Sequence, residues 1–357
     1  MGLSQVNSIN LSNWRYHMNK IVPELFIKNM ERYVKGEYTI IASAGYEDRT
    51  MGLLSKIKDK GIKINRSIII DYPNKSLNEP NRTNLIDLAK TISRQVKVIE
   101  EDKFIRQIPE LSVGQYFSNL ILDITGMSRL QFYNIMYCFD QNNILFDLAY
   151  TEADSYYPDK NFFQKLKNES RDVKDLFFDA YQKEEEAEIV YSFDCDIIQP
   201  HIFRGRPEPG KAASFIGFLT LKRGRLQAIL RNYEFSKRVF IVSEPVRKEL
   251  KWRKEMMKLV NRDLLKKRDS QIYSLRTLYP SETYDLLEEV IYNSRDYFRY
   301  NIYIAPLGSK MQTLGTYLFW KKHPEISLIF SQPKKYFPKA YSKSWRKTFI
   351  IKKESFL

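Results

Sequence analysis

The sequence predicts an α/β protein built of two tandem Rossmann-like units with mainly parallel sheets, preceded by an N-terminal helical segment. Three observations lead there. Short runs rich in Ile, Val and Leu, without polar alternation, read as strands buried on both faces. Longer segments with apolar residues at helical intervals lie between them, and strands alternating with helices imply a parallel sheet covered on both sides. The same alternation then resumes past residue 210.

Residues 1–36 form the helical segment: Trp14, Met18, Ile21, Leu25, Phe26, Met30 and Tyr33 recur at mostly helical spacing, with Ser12 as a cap, Pro23 as a kink and Gly36 as a stop. The first Rossmann-like unit covers 37–158. It reads as strand 38–42, helix 50–60, strand 67–71, helix 82–95, strand 96–100, strand 119–124, helix 128–140 and strand 143–150. Residues 159–210 read as a helical connection ending in a loop, Gln199 to Gly210, with three prolines and two glycines. The second, basic unit covers 211–357. It reads as helix 214–233, strand 238–243, a long basic helix 245–267, strand 272–278, a helix opened by Ser281 and Glu282, strand 301–305, helix 309–321 and strand 326–330. The basic and aromatic tail from Tyr336 reads as a hairpin or a docking strand.

One stretch of each unit matches the other. Leu122-Asp123-Ile124-Thr125-Gly126-Met127-Ser128-Arg129 corresponds to Ile304-Ala305-Pro306-Leu307-Gly308-Ser309-Lys310 with one residue fewer. Each runs on to a Tyr-aromatic-Pro, Tyr156-Tyr157-Pro158 and Tyr336-Phe337-Pro338, 32 positions after Gly126 and 30 after Gly308. The pattern reads as a duplication.

Composition narrows the function. A formal charge of +15 over 357 residues attracts polyanions, and the basic runs concentrate after residue 200, as in Lys222-Arg223-Gly224-Arg225. Cys138 and Cys195 lack a CxxC spacing and the histidines are His17, His201 and His323, which disfavours a zinc site or a Ser-His-Asp system. No apolar run approaches the roughly 20 residues that span a bilayer, so no membrane is expected. The N-terminus lacks the basic-then-apolar pattern of a secretory signal, so a cytoplasmic location is the expectation.

In an open parallel sheet, ligands sit beyond the carboxyl ends of the strands, where strand order reverses. Three strand-end loops qualify. In the first, Gly45 allows a tight turn into a helix, Arg49 suits a phosphate, and Glu47 and Asp48 suit a ribose or a metal, or else cap the helix and pair with Arg49. In the second, Thr125 and Ser128 offer hydroxyls, Gly126 admits a phosphate to the backbone, Arg129 supplies charge, and Asp123 orders the loop or coordinates through water. The third is Gly308-Ser309-Lys310, with Gln312 and Thr313 behind it. Walker A and GxGxxG motifs are absent from the sequence.

The string Asp123-x-Thr125-Gly126-x-x-Arg129 resembles the ligand loop of CARF domains, Rossmann-like sensors of cyclic oligonucleotides in prokaryotic immunity, whose loop often reads Asp-x-Thr-Gly-Gly-x-Lys. Gly308 to Lys310 match its Gly-x-Lys part. Met127 departs from the second glycine, and no HEPN-type Arg-x-x-x-x-His motif, attached nuclease or helix-turn-helix is recognisable. The resemblance implies a nucleotide-like anion sensor or scaffold in an antiviral defence assembly, with a nucleotide or oligonucleotide ligand and a protein partner that receives its bound state. Two alternatives stay open. One is a hydrolase using a divalent metal on Glu47, Asp48 and Asp123; the other is a nucleic-acid-binding subunit using the basic C-terminal half. The first expects a cofactor; the sensor needs none.

Overall fold

The computed structural model describes residues 38–72, 79–113, 119–168, 172–181, 183–192, 194–266, 270–337 and 341–352. The helical segment expected over 1–36 lies outside them. The chain is a mixed α/β protein with two mainly parallel sheets.

Strand β1 (Thr39–Ser43) leads through α1 (Gly52–Asp59) to β2 (Ile64–Asp71), and α2 (Glu79–Ile92) to β3 (Ser93–Glu100). Helix α3 (Glu101–Val113), not foreseen from the sequence, then precedes β4 (Leu120–Asp123), α4 (Arg129–Gln141) and β5 (Asp147–Thr151). These strands stand side by side in the order β3-β2-β1-β4-β5, all parallel, so strand order reverses between β1 and β4. In the register, Ile41 faces Ile68 on one side and Leu122 on the other. Every residue of β1, β4 and β5 is buried, which explains why their inner positions are apolar without alternation, the polar residues standing at the strand ends.

Strand β6 (Ser155–Tyr156) follows, then helices α5 (Lys160–Asn168), α6 (Val173–Tyr181) and α7 (Glu184–Tyr191), and strand β7 (Cys195–Ile198). The second sheet comprises β8 (Ala212–Phe218), β9 (Lys237–Glu244), β10 (Ser270–Arg276), β11 (Tyr300–Ala305) and β12 (Ser327–Leu328), in the order β10-β9-β8-β11-β12. This is the strand order of the first sheet, with its reversal between β8 and β11. Its helices are α8 (Gly224–Asn232), α9 (Trp252–Val260), α10 (Arg262–Leu265), α11 (Pro280–Glu288), α12 (Asp296–Arg299) and α13 (Lys310–Lys322). Three short strands finish the fold. β13 (Phe330–Pro333) pairs with β7, β14 (Ser342–Lys343) with β6, and β15 (Thr348–Ile351) runs antiparallel to β5 as the sixth strand of the first sheet, setting Phe349 opposite Tyr150. The tail is therefore a docking strand.

Two sequence expectations fail for physical reasons. The helix expected over 214–233 is β8 followed by a loop and α8. β8 is central and buried over its last five residues, so it shows no alternation, and Ala212, Ala213 and Gly217 dilute its β character. The long helix expected over 245–267 breaks at Asn261, whose fully buried side-chain amide donates to the carbonyls of Thr220 (3.0 Å) and Met257 (2.8 Å).

A single apolar core joins the two sheets. Its centre is the contact between α4 and α13, the helices that follow β4 and β11. Tyr133 and Tyr317 meet edge-on with centroids 5.3 Å apart, and Phe330 and Phe203 close on Tyr133 at 5.2 and 5.5 Å. Each such ring contributes about 2–3 kcal/mol by burial, and each edge-to-face pair about 0.5–1.5 kcal/mol more. The Tyr133 hydroxyl donates to the Thr313 carbonyl (3.2 Å), so it is not stranded in the core. Among the described residues, no helix is long and apolar enough to cross a membrane.

Candidate functional site

Because α4 and α13 pack together, the carboxyl ends of β1, β4, β8 and β11 face one another. A cavity of about 790 Å3 lies between them, at the point of strand reversal in both sheets. Of the residues that the sequence singles out, Gly45, Glu47, Arg49, Thr125, Gly126, Ser128, Arg129, Gly308, Ser309 and Lys310 line it. Asp48 and Asp123 are not among its lining residues.

The glycines serve contact between loops. A β-carbon on Gly126 would lie 2.3 Å from the Ser43 carbonyl oxygen, and one on Gly45 2.8 Å from the Gly126 carbonyl oxygen. The β1 and β4 loops thus touch backbone to backbone on the side where a Gly126 side chain would stand, and Gly126 also lines the cavity.

Ser128 and Ser309 cap α4 and α13, accepting from the backbone N–H of Gln131 (3.1 Å) and Gln312 (3.2 Å). Gln312 returns the favour by accepting from Ser309 N (2.9 Å), a complete capping box. Both glutamines also tie strand ends together. Gln131 accepts from the Ser43 hydroxyl (2.7 Å) and donates to Glu101 (3.0 Å), beyond β3. Gln312 accepts from the Ser243 hydroxyl (2.8 Å) and donates to the Leu275 carbonyl (3.3 Å), in β10. Tyr72 completes the first turn, donating to Gly126 O (2.9 Å) while its oxygen accepts from Ser128 N (2.7 Å).

Asp123 is fully buried and accepts from both the backbone N–H (2.9 Å) and the hydroxyl (2.5 Å) of Thr125, whose oxygen in turn accepts from Thr151 N (2.8 Å). It orders the loop. Burial raises its pKa to about 6, against the lowering effect of Thr125 and of the charges on Arg49 and Lys310. Glu47 binds Arg49 through two bonds of 2.9 and 3.1 Å and also accepts from the Ser342 hydroxyl. Burial pushes its carboxyl up, but Arg49 and Ser342 outweigh that and hold it below the usual range. Asp48 accepts from Ser344 N (3.1 Å). The three carboxylates that a divalent metal would need therefore have separate partners, and among the described residues no three His, Cys, Asp or Glu side chains gather into a metal site.

The cations divide into two groups. Arg129 gives one guanidinium nitrogen to the carbonyls of Leu307 and Gly308, both at 2.7 Å, so the first glycine turn grips the second. Burial, and then the nearby charge of Arg225, pull its pKa down to about 10. Arg253 holds the Pro158 carbonyl (2.9 Å) and Arg247 those of Ala153 and Asp154 (both 2.9 Å), which fastens the second half to the first. Lys222, Arg225 and Lys310 differ: among the described residues none has a carboxylate partner. Arg225 is 7% exposed, and it donates to the Tyr341 hydroxyl (2.9 Å) while its Nε has no partner. The buried Nζ of Lys222 likewise has none and stands 3.3 Å from the centroid of the Tyr341 ring. Burial and neighbouring positive charge pull both lysines well below their ordinary pKa; for Lys310 the repelling neighbours are Arg129, Arg49 and Arg225.

Lys222, Arg225, Gln131 and the ring cluster of Tyr46, Tyr336 and Tyr341 were missed as site residues from the sequence. Tyr46 lies 4.9 Å from Tyr341 and 5.3 Å from Tyr336, centroid to centroid. The run Lys222 to Arg225 is visible in the sequence, but reading 214–233 as one helix hid that it spans the end of the loop after β8 and the first turn of α8, the counterpart of Gly45 to Arg49. The cluster of Tyr292, Tyr297, Phe298 and Tyr300, also aromatic, does not line the cavity.

Strand order and switch-point cavity define a paired Rossmann-like α/β protein. No protein-family model matches the chain, and no curated protein does. Solved structures similar to it include a Type III CRISPR defence DNA nuclease activated by cyclic oligoadenylate, at 10% identity over 79% of this chain and 63% of that one, with a TM-score of 0.45. Another is Can2 from Sulfobacillus thermosulfidooxidans in complex with cyclic tetra-adenylate, at 12% identity over 71% and 68% of the two chains and a TM-score of 0.25. A third is the cytoplasmic domain of a prokaryotic cation chloride cotransporter, at 7% identity over 85% and 99% and a TM-score of 0.25. The chain spans 63% of the length of the nuclease chain it matches. At these identities and TM-scores they assign no ligand or activity to this chain.

Proposed function

We propose that this chain is a sensor that holds a nucleotide-like anion between its two sheets, works in a prokaryotic antiviral defence assembly and passes its bound state to a partner effector. The observation that carries the binding is the trio Lys222, Arg225 and Lys310. Cations held in a partly desolvated cavity without a bonded carboxylate are costly, and an anion that supplies the missing bonds and charge is bound tightly for the same reason. The cavity has the size of a small-molecule site. The defence setting rests on the resemblance of Asp123, Thr125, Gly126 and Arg129 to the CARF loop.

A route for the signal is available. A ligand on Lys310 touches the first turn of α13, the helix whose glycine turn Arg129 holds and whose body packs on α4. Ligand charge close to Arg129 then changes the balance of contacts that fix the two halves against each other.

Calorimetric titration with mononucleotides, dinucleotides and cyclic oligonucleotides tests the reading. At least one is expected to bind, and Lys222→Ala combined with Lys310→Ala is expected to weaken it at least about 100-fold, since two charge-assisted hydrogen bonds contribute about 3 kcal/mol or more. A bound nucleotide indifferent to both substitutions, or no binding at all, removes the proposed site.

A further inference from the structure

The cavity has two walls of opposite electrostatic character, and that bears on the shape of what it holds. Lining residues from the first half, Arg49, Arg129, Glu47, Glu101 and Glu152, are two cations and three carboxylates, a net charge of −1. Lining residues from 194 onward, Lys222, Arg225, Arg253, Lys310 and Lys334 against Asp196, are five cations and one carboxylate, a net charge of +4. Local pairing sharpens the contrast. Arg49 is taken by Glu47, Arg129 and Arg253 by backbone carbonyls, and Lys334 by Asp194 at 2.9 Å. Carbonyls are neutral acceptors, so Arg129 keeps its charge, but it stands beside Lys310 and Arg225. With Lys222, itself beside Arg225, these cations form one cluster, of which Lys222, Arg225 and Lys310 lie beyond β8 and β11.

A ring or chain of phosphodiesters carries one negative charge per phosphate, spaced along its length. Laid across this cavity it would carry some of them away from that cluster and toward Glu101 and Glu152. A terminal phosphate ester carries close to two charges near neutral pH, and a di- or triphosphate carries more, all at one end. That distribution fits one cationic wall facing a neutral or acidic one.

Resting on the reading of the cavity as a site for a nucleotide-like anion, we propose that its ligand is a linear nucleotide bound end-on, with its terminal phosphate or polyphosphate on Lys222, Arg225 and Lys310 and the remainder directed toward the first wall. The buried, unpartnered Nε of Arg225 and Nζ of Lys222 are the donors that the phosphate oxygens satisfy.

The test compares ligands on the unaltered protein. ATP and the 5′-phosphorylated linear dinucleotide pApA are titrated beside 3′,5′-cyclic AMP and cyclic di-AMP at one ionic strength, with inorganic triphosphate as competitor. The phosphate-ended ligands are expected to bind at least about tenfold tighter than their cyclic counterparts, the equivalent of one further charge-assisted bond. Inorganic triphosphate is expected to displace them, and Arg225→Gln is expected to erase the preference. Cyclic ligands that bind as tightly, yet still depend on Lys222 and Lys310, overturn the end-on mode and leave the anion site standing. Failure of triphosphate to compete also overturns it, and absence of any nucleotide binding removes both readings. The comparison on the unaltered protein stands even if Arg225→Gln does not fold.

Discussion

At the end of β4, Ser128 caps α4 and Gln131 reaches across to Glu101 beyond β3; at the end of β11, Ser309 caps α13 and Gln312 reaches to Leu275 in β10. The frames are alike, but the basic residues that follow the two serines are used differently. Arg129 reaches out of its own half and holds the carbonyls of Leu307 and Gly308, whereas Lys310 remains in the cavity without a bonding partner among the described residues. Likewise Arg49 is bound by Glu47, and its counterpart Arg225 bonds, among the described residues, to a tyrosine hydroxyl and to no carboxylate. Strand ends of like geometry thus differ in use: in the first half their polar groups are bonded to neighbouring loops, and in the second Lys222, Arg225 and Lys310 hold the charge on which the proposed binding rests.

The contrast breaks most sharply under substitution of the binding side. Replacing Lys222 and Lys310 together by Ala is expected to cost at least about 100-fold in ligand affinity while leaving the melting temperature of the unliganded protein unchanged or higher, because two uncompensated cations are removed. Calorimetry beside thermal unfolding reads both. The structural side responds in the opposite sense. Gly126→Ala sets a β-carbon against the Ser43 carbonyl and is expected to destabilise the fold by about 3 kcal/mol, measured by denaturant titration. Gly308→Ala meets the Gln312 amide oxygen at 2.6 Å and the Phe218 ring at 2.7 Å, side chains that can yield, so about half that loss is expected in the same measurement.

Protonation sharpens the comparison further. Both lysines are depressed in the free cavity and a bound anion raises them, so binding takes up protons and affinity falls as pH rises through the depressed lysine pKa values. Titrations in buffers of different ionisation enthalpy measure the uptake. Asp123, on the structural side, has a folded pKa of about 6, above its unfolded value of 3.8. Its contribution favours the folded state at low pH and is lost as pH rises through 6. Asp123→Asn keeps an oxygen to accept from Thr125. It is expected to flatten stability between about pH 4 and 6 and to leave neutral-pH stability equal or higher, by up to about 3 kcal/mol. Loss of stability at neutral pH in that variant contradicts burial as the cause of the raised Asp123 pKa.

Much of this was legible in the sequence, where chemistry and spacing coincide. The strands around Ile68 and Leu122 announce themselves because both faces are buried, and Gly126-x-Ser128-Arg129 and Gly308-Ser309-Lys310 mark strand-to-helix turns because a serine cap and a glycine contact are local requirements. What escaped was decided by partners distant in sequence. Gly217 in β8 leaves room for the Phe215 ring and for Leu226 of the following helix. Arg129 looks like Lys310 until the second sheet supplies two carbonyls, and Tyr341 comes to Arg225 only when the tail turns back. Asn261 ends a helix through a bond to Thr220, which no helical periodicity reveals.

That turning back has a consequence for how the molecule is made. The sixth strand of the first sheet is Thr348–Ile351, so β5 waits with one edge unpaired while some two hundred further residues leave the ribosome. Until then the first half is unfinished and the second carries loops with no cavity to enclose. The same tail pairs β14 on β6 and so brings Ser342 to Glu47 and Ser344 to Asp48, and the Glu47 side of the cavity is fastened only once that tail has been made.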